Sequence, residues 1–284
     1  MTRYLPTNDF RAVRKVLEAD DFALSEGPEL PPSDLIKAKM WSGIMTLPDD
    51  VAIRTSNHHG TMLKLMYELW SVWWEAIGER EDLVYVPMLD AGDDFYAAIF
   101  NLLHGFYRQA CDSLRSALEL TAIGASYQLT GRDAEFQQWR TGQLGRDFGL
   151  NLACDGIRPV ASALNLETHL QTVLQDDLFR RGSRRTGDPG GWVRRLFGEL
   201  SHYVHSRPGY TNGDMWKSNG PIYDRRAVTT TSSYYLQTMA GCYFMIKLAR
   251  PNLELPQAAL QLFTAQPIKS LQIAQEAYGY LFQK

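Results

Sequence analysis

Apolar residues recur along most of the chain with the spacing of helical faces. Between residues 57 and 79 they are three and four positions apart, at Met62, Leu65, Met66, Leu69, Trp70, Trp73, Trp74 and Ile77. The longest such stripe runs from Asp93 to about Leu129, and we expect Gly105 to kink it. Further helices are predicted over roughly 8–24, 33–46, 133–154, 159–179, 192–205, 230–248, 256–264 and 270–282.

The alternation of apolar and polar positions that is typical of a half-buried strand is scarce. The best strand candidate, Leu83–Leu89, is short and contains Pro87, which cannot donate a ladder hydrogen bond. We therefore predict an all-α fold, with a helical bundle over residues 57–284 and an N-terminal helical extension over residues 1–56.

Composition and charge narrow the class of protein. Over 284 residues the chain is 45% hydrophobic and 21% charged, which is typical of a globular protein that needs no disulfides or metals for its core. The net charge of −3 means that phosphate binding would need a local basic patch. Three widely spaced cysteines, Cys111, Cys154 and Cys242, are expected to be reduced core residues.

No targeting or membrane segment is evident in the sequence. The first residues lack the apolar core of a signal peptide, and charges interrupt every apolar stretch before the roughly 18 residues that a membrane span needs. The sequence predicts a cytoplasmic protein without membrane association. It also predicts no metal and no other cofactor, because ligand-spaced Cys and His motifs and glycine-rich phosphate loops are missing.

The strongest candidate chemistry lies in the predicted helix 192–205. Arg195, Glu199 and His202 are four and three residues apart and share one face, and His205 follows close to the helix end. Histidine suits acid–base work near neutral pH, and the C-terminal end of a helix favours its protonated form. Arg207 and the arginines of the loop 180–191 are candidate phosphate ligands.

A second stripe of charge runs along the long central region. Arg108, Asp112, Arg115 and Glu119 lie four, three and four residues apart beside the apolar stripe. Charges on a central helix need partners if they are buried, so we expect this stripe to contact the histidine helix.

Aromatic side chains offer two candidate stacking surfaces. Trp216 and Asn219 lie in the long segment after the histidine helix and could line a base-binding pocket, or could simply pack a lid. The Trp70–Trp74 cluster could stack bases, but its place in the apolar stripe favours a core or a dimer face.

Two of these helices carry a family resemblance. Arg115-Ser-Ala-Leu-Glu119 and Leu200-Ser-His-Tyr-Val-His205 resemble the R-S-x-x-E and L-S-x-x-x-H helices of uncharacterised bacterial proteins of the HEPN-like class. The resemblance covers roughly residues 60–250. It implies a helical bundle, and a homodimer.

Many HEPN proteins are metal-independent endoribonucleases with an R-x4-6-H motif. The resemblance then implies that His202 or His205 transfers protons while Arg195 stabilises the phosphorane. Arg195 and His202 fit that spacing, whereas the L-S-x-x-x-H alignment points to His205, with nine residues between it and Arg195.

Two functional hypotheses follow. The first is an endoribonuclease acting on RNA in bacterial stress, toxin–antitoxin or phage-defence systems. In it Arg207, Trp216 and Asn219 bind substrate, while Arg115, Glu119 and Glu199 form a supporting network. The second is a non-catalytic helical module that binds a protein partner or a nucleotide-like ligand, with the same residues fixing the packing.

Overall fold

A computed structural model describes residues 38–78, 80–144, 148–183, 185–204 and 220–283. Within these ranges every regular element is a helix, and there is no β-strand. The α-helices are α1 (Ala38–Ser71), α2 (Tyr85–Leu103), α3 (Tyr107–Thr130), α4 (Asp133–Arg140), α5 (Leu150–Ala163), α6 (Leu166–Leu174), α7 (Trp192–Val204), α8 (Arg225–Ala249), α9 (Leu260–Thr264) and α10 (Gln272–Phe282). Short 3-10 turns cover Trp73–Ala76, Gln257–Ala259 and Ile268–Ser270. The predicted all-α class is therefore confirmed.

Helix α3 forms the centre of the bundle. It packs against α2, α5, α7 and α8, and every residue from Thr121 to Tyr127 is buried. An apolar stripe would leave one side of a helix free for solvent, so burial all round this half indicates that neighbours cover every face. The central position predicted for this region is what brings its charged stripe into contact with other helices.

The predicted helix from Asp93 to about Leu129 is two helices. α2 ends at Leu103 and α3 starts at Tyr107, and Gly105 lies between them with a φ of +83°. That left-handed conformation is open to glycine at little cost and breaks the helix instead of kinking it. The predicted end after Leu129 is confirmed, because Gly131 caps α3 in the same conformation.

Two prolines that the sequence suggested as helix boundaries lie inside helices. Pro48 is within α1, which continues to Ser71 with non-helical angles only at His59, and Pro159 is within α5. A proline removes one hydrogen bond of the helix, and both helices continue past this loss. The boundary proposed at residue 56 falls within α1, three residues before His59.

Two further segments differ from their predicted structure. Leu83–Leu89 is not a strand, because Tyr85 begins α2 and Pro87 occupies its first turn, where the missing N–H has no helical partner to lose. The predicted helix 133–154 is divided into α4 and α5, with a non-helical connection after Arg140. The predicted helix 8–24 lies outside the described residues.

The tryptophan cluster is divided between core and surface. Trp73 is fully buried and donates to the Met88 carbonyl at 2.9 Å, while Trp70 is half-buried and donates to the Gly92 carbonyl at 3.0 Å. Trp74 is 37% exposed. The core interpretation is therefore confirmed for Trp73.

The three cysteines are buried and free, as predicted. Burial raises the pKa of each thiol to about 12, so all three stay protonated near neutral pH. None of the helices that the structure describes is long and apolar enough to cross a bilayer.

Replacing Gly105 with alanine tests the α2–α3 break. An added Cβ would meet the Ile222 carbonyl oxygen at 2.7 Å and Val51 Cγ1 at 2.9 Å, in addition to the strain of a positive φ. We expect Gly105→Ala to lower the free energy of unfolding by about 2 kcal/mol or more, measured by urea denaturation. Gly60→Ala is the control, because a Cβ there meets nothing within 4 Å, and equal losses in both variants would contradict this account.

Candidate arginine-lined groove

The chain segment that precedes α7 holds the start of that helix. The Trp192 amide donates to the Asp177 carbonyl at 2.8 Å, and the Val193 amide donates to the Leu178 carbonyl at 3.0 Å. The first amides of a helix have no partner within it, so this segment supplies the acceptors that α7 lacks. The position of the arginines on α7 therefore depends on where residues 177 and 178 are fixed.

A buried carboxylate on α6 fixes that segment. Glu167 is 7% exposed, and its two carboxylate oxygens accept the amides of Leu178 at 2.9 Å and Phe179 at 3.0 Å. Burial raises the pKa of Glu167, while the two amide hydrogen bonds favour its charged form. A side chain on α6 thus orients the backbone that starts α7.

Arg194 joins the segment to α5. It is buried, and its guanidinium donates to the Phe179 carbonyl at 3.0 Å, to Asn151 Oδ1 at 2.8 Å and to Asp155 Oδ1 at 2.6 Å. A buried guanidinium needs such partners to offset the loss of water. Arg194 is therefore a structural residue.

The two arginines at 180 and 181 also have acidic partners. Arg180 is paired with both Asp177 and Asp188. Arg181 Nη2 lies 2.5 Å from Asp155 Oδ2, so a single carboxylate serves Arg181 and Arg194 together. An antiparallel bridge between Ser183 and Asp188 closes a small hairpin, the 181–189 hairpin, which the structure describes except at residue 184.

Arg195, the arginine predicted to stabilise a phosphorane, is held by the same segment. Its two terminal nitrogens donate to the carboxylate oxygens of Asp176 at 2.9 and 2.5 Å, and one also donates to the Gly190 carbonyl at 2.6 Å. Burial alone would raise the pKa of Asp176, but hydrogen bonds from Arg195 and the Asp177 amide lower it. Arg195 therefore already has an anionic partner.

The two helices that carry the family resemblance are in contact. Arg115 Nε donates to Ser201 Oγ at 3.1 Å, and the guanidinium lies 4.5 Å from the centroid of the Phe197 ring. Glu119 lies 3.5 Å from Arg115 Nη1 and accepts the first amide of α5, Leu150, at 3.1 Å. The predicted contact between the charged stripe and the histidine helix is thus present, although the α7 side chain that Arg115 bonds is Ser201.

Arg108 extends this contact to the last residues of α7. Its guanidinium donates to the carbonyls of Tyr203 at 2.8 Å and Val204 at 3.2 Å. A cation near the C-terminal end of a helix is electrostatically favourable.

An open groove of about 620 Å³ lies between α7, the start of α5 and the 181–189 hairpin. Its lining combines guanidinium, amide and hydroxyl groups with one carboxylate, which is paired with Arg180, and one aromatic ring; it includes Asn151, Arg181, Ser183, Asp188, Arg194, Phe197, Gly198 and Ser201. At Gly198 a Cβ would meet nothing within 4 Å, so the groove is open above the middle of α7.

A second cavity of about 500 Å³ lies on the other side of Glu119, lined by Ser116, Glu119, Leu120, Trp139 and Phe148 among others. Ser116 also donates to Asp94 in the middle of α2. Burial raises the pKa of Asp94 to about 6, and the carboxylates of Asp112 and Asp90 add to this effect against the Ser116 hydrogen bond. The helix predicted to begin at Asp93 therefore begins eight residues earlier, at Tyr85, and Asp94 lies inside it.

The predicted site residues are only partly brought together. His202 is partly exposed near the C-terminal end of α7, and Glu199 is exposed on the same helix. Arg195 is in the first turn of α7 and is directed to the preceding segment, about two helical turns from His202. His205, Arg207, Trp216 and Asn219 lie outside the described residues.

Sequence reasoning missed the carboxylates and the amide that organise the site. Asn151 and Asp155 on α5 are 43 and 39 residues from Arg194, and Glu167 on α6 is 11 and 12 residues from the two amides that it accepts. Only the excess of arginine between 176 and 195, six against three aspartates, could have suggested that distant carboxylates were needed.

No family model, curated protein or solved structure matches the chain. Among the residues that the structure describes, no group of three or more His, Cys, Asp and Glu side chains is arranged to hold a metal ion.

Asp94 gives a pH dependence with a definite sign. Its pKa is raised above the usual 3.8 to about 6, so the folded state holds a proton between pH 4 and 6 that the unfolded chain has lost. The free energy of unfolding should therefore fall as pH rises through this window. Relative to wild type, Asp94→Asn should gain about 1 kcal/mol between pH 4 and pH 7, after discounting for partial exposure.

Urea denaturation at the two pH values measures this gain. Asp93→Asn is the matched control, since Asp93 is the exposed neighbour on α2. A gain that is the same in both variants would show that Asp94 is not the titrating group.

Proposed function

We propose that this protein is a non-catalytic helical module that binds a phosphate-bearing, nucleotide-like ligand in the groove beside α7. The observation that carries the proposal is the arginine-lined groove itself. The segment 176–195 contains six arginines and three aspartates, whereas the whole chain has a net charge of −3. A local excess of positive charge in an acidic protein favours an anionic ligand at that place.

The groups in the groove suit a phosphate. The Arg181 side chain is 64% exposed at the rim, and guanidinium groups bind phosphate through paired hydrogen bonds. Ser183, Ser201 and Asn151 add neutral hydrogen-bonding groups beside it. The Phe197 ring supplies one apolar surface, which suits a ligand that combines a phosphate with an apolar or planar part.

We prefer binding to catalysis as the function because the Arg195 side chain is already paired with Asp176. A phosphorane-stabilising arginine must be available to the transition state, and Arg195 already makes a bidentate pair with Asp176. Releasing it would also withdraw its hydrogen bond from Gly190 in the segment that starts α7.

Endoribonuclease activity is the second candidate, and one observation favours it. His202 is partly exposed and directly follows Ser201, which lines the groove and contacts Arg115 of the R-S-x-x-E helix. A histidine in such a place could exchange protons with a bound RNA. The HEPN-like family, the homodimer, the protein partner and the defence setting stay predictions.

Removing the exposed arginine tests the binding proposal. Arg181→Ala should weaken binding of a fluorescein-labelled RNA oligonucleotide that carries a 5′-phosphate by about tenfold, followed by fluorescence anisotropy. Arg140→Ala is the control, because Arg140 is an exposed arginine on α4 outside the groove. Absence of binding by the wild type, or equal losses in the two variants, would overturn the proposal.

Cleavage of RNA in the presence of EDTA separates the two candidates. The non-catalytic proposal expects intact RNA after incubation with wild-type protein. Cleavage that survives EDTA and is lost in folded His202→Ala or His205→Ala would instead establish the endoribonuclease and identify its histidine.

A further inference from the structure

We infer that the groove selects a terminal phosphate monoester over an internal phosphodiester, and that Asp155 imposes this selection by competing with the ligand for Arg181. The inference rests on the proposed function and adds to it a class of ligand and a specificity-determining residue. Asp155 is on α5, four residues after the groove residue Asn151; it reaches the groove through Arg181 and Arg194, and no sequence motif singled it out.

The two arginines that share Asp155 differ in their freedom. Arg194 has a side chain that is 5% exposed and makes three hydrogen bonds, so it cannot turn towards a ligand without leaving buried acceptors unpaired. Arg181 is 64% exposed and lies in the hairpin, with Asp155 as its ion-pair partner. Arg181 is therefore the cation that a ligand in the groove can recruit.

The Asp155 carboxylate keeps its position when Arg181 turns towards a ligand. Its Oδ1 atom lies 2.6 Å from buried Arg194, whose charge needs a nearby anion. Its Oδ2 atom, 2.5 Å from Arg181, remains beside the place where the ligand would bind. A ligand must therefore replace Asp155 as the partner of Arg181, while the Asp155 carboxylate remains nearby.

The charge of the ligand decides that competition. A phosphodiester carries a single negative charge, as Asp155 does, so the exchange brings little electrostatic gain and adds repulsion from the carboxylate that remains. A phosphate monoester carries about −1.5 to −2 at neutral pH and offers three acceptor oxygens. Its attraction for Arg181 is larger, and its oxygens can also accept a hydrogen bond from the Ser183 hydroxyl.

Two RNA oligonucleotides of one sequence, one with a 5′-phosphate and one with a 5′-hydroxyl, test this selection. Each carries fluorescein at its 3′ end, and inorganic phosphate and a 5′-mononucleotide serve as competitors. The wild type should bind the 5′-phosphorylated oligonucleotide about tenfold more tightly. Competition by the mononucleotide but not by inorganic phosphate would assign the ligand to nucleotides, and competition by both would assign it to the phosphate alone.

The decisive variant is Asp155→Asn. Asparagine keeps one carbonyl oxygen for Arg194 and removes the charge that holds Arg181. The variant should bind the 5′-hydroxyl oligonucleotide several-fold more tightly, which narrows the preference to about threefold or less. Asp50→Asn is the matched control, since Asp50 is paired with Arg54 on α1 outside the groove, and it should change neither affinity.

The outcomes separate this inference from the function on which it rests. If the wild type binds no phosphate-bearing ligand, the proposed function fails. If it binds both oligonucleotides equally, or if folded Asp155→Asn keeps the full preference or binds both more weakly, the selection by Asp155 is wrong while binding stands.

Should Asp155→Asn fail to unfold cooperatively, Arg181→Gln replaces it, because the exposed Arg181 side chain can be changed without disturbing the core. This variant should lose the preference for the 5′-phosphate, and a preserved preference would overturn the inference.

Discussion

The burial of α3 among four other helices sets the constraints on the rest of the bundle. Its charged stripe lies in the half that is only partly covered, where Asp112 is exposed and the other three charged groups each contact a neighbouring helix. Arg108 covers the last carbonyls of α7, and Glu119 accepts the first amide of α5. Arg115 lies between them against Ser201 and Phe197. One helix therefore fixes the ends of two others, and with them the walls of the groove.

The segment between α6 and α7, with the start of α7, is subject to the same constraint. Four arginines there, Arg180, Arg181, Arg194 and Arg195, are each paired with a carboxylate. Glu167 fixes the backbone, Asp177 and Asp188 hold Arg180, Asp176 holds Arg195, and Asp155 serves the two arginines that line the groove. Charge that appears free in the sequence is mostly neutralised in the fold. What remains for a ligand is the small excess at the exposed rim.

The two functional candidates place different requirements on an arginine. A phosphorane needs an arginine that is free to approach it, and the bidentate pair with Asp176 gives Arg195 the role of fixing the start of α7. A binding site needs only a cation that can turn, and Arg181 has the exposure for it. The partly exposed His202 could transfer protons to a bound RNA. The two candidates therefore differ in one measurable property, the cleavage of RNA.

The hydrophobic period by itself determined the all-α class, most of the helices and the buried stripe that contains Met66, Leu69 and Trp73, because helical spacing of apolar residues is a local property. It failed where a boundary depended on distant packing. Pro48 stays within α1, Leu83–Leu89 becomes the start of α2, and Gly105 needs a left-handed turn under Ile222.

The candidate site depended on tertiary structure far more. The sequence predicted that the stripe with Arg115 and Glu119 contacts the histidine helix, but it identified neither Ser201 as the residue that Arg115 bonds nor a carboxylate for Arg195. Asp176, Asp155 and Glu167 become partners of arginines and amides only when α5, α6 and α7 pack together, since electrostatic pairing acts through space and leaves no periodic trace along the chain. The sequence therefore determined which residues carry charge, and the packing of the helices decided which carboxylates pair with which arginines and how exposed each pair is, as for Arg181 with Asp155.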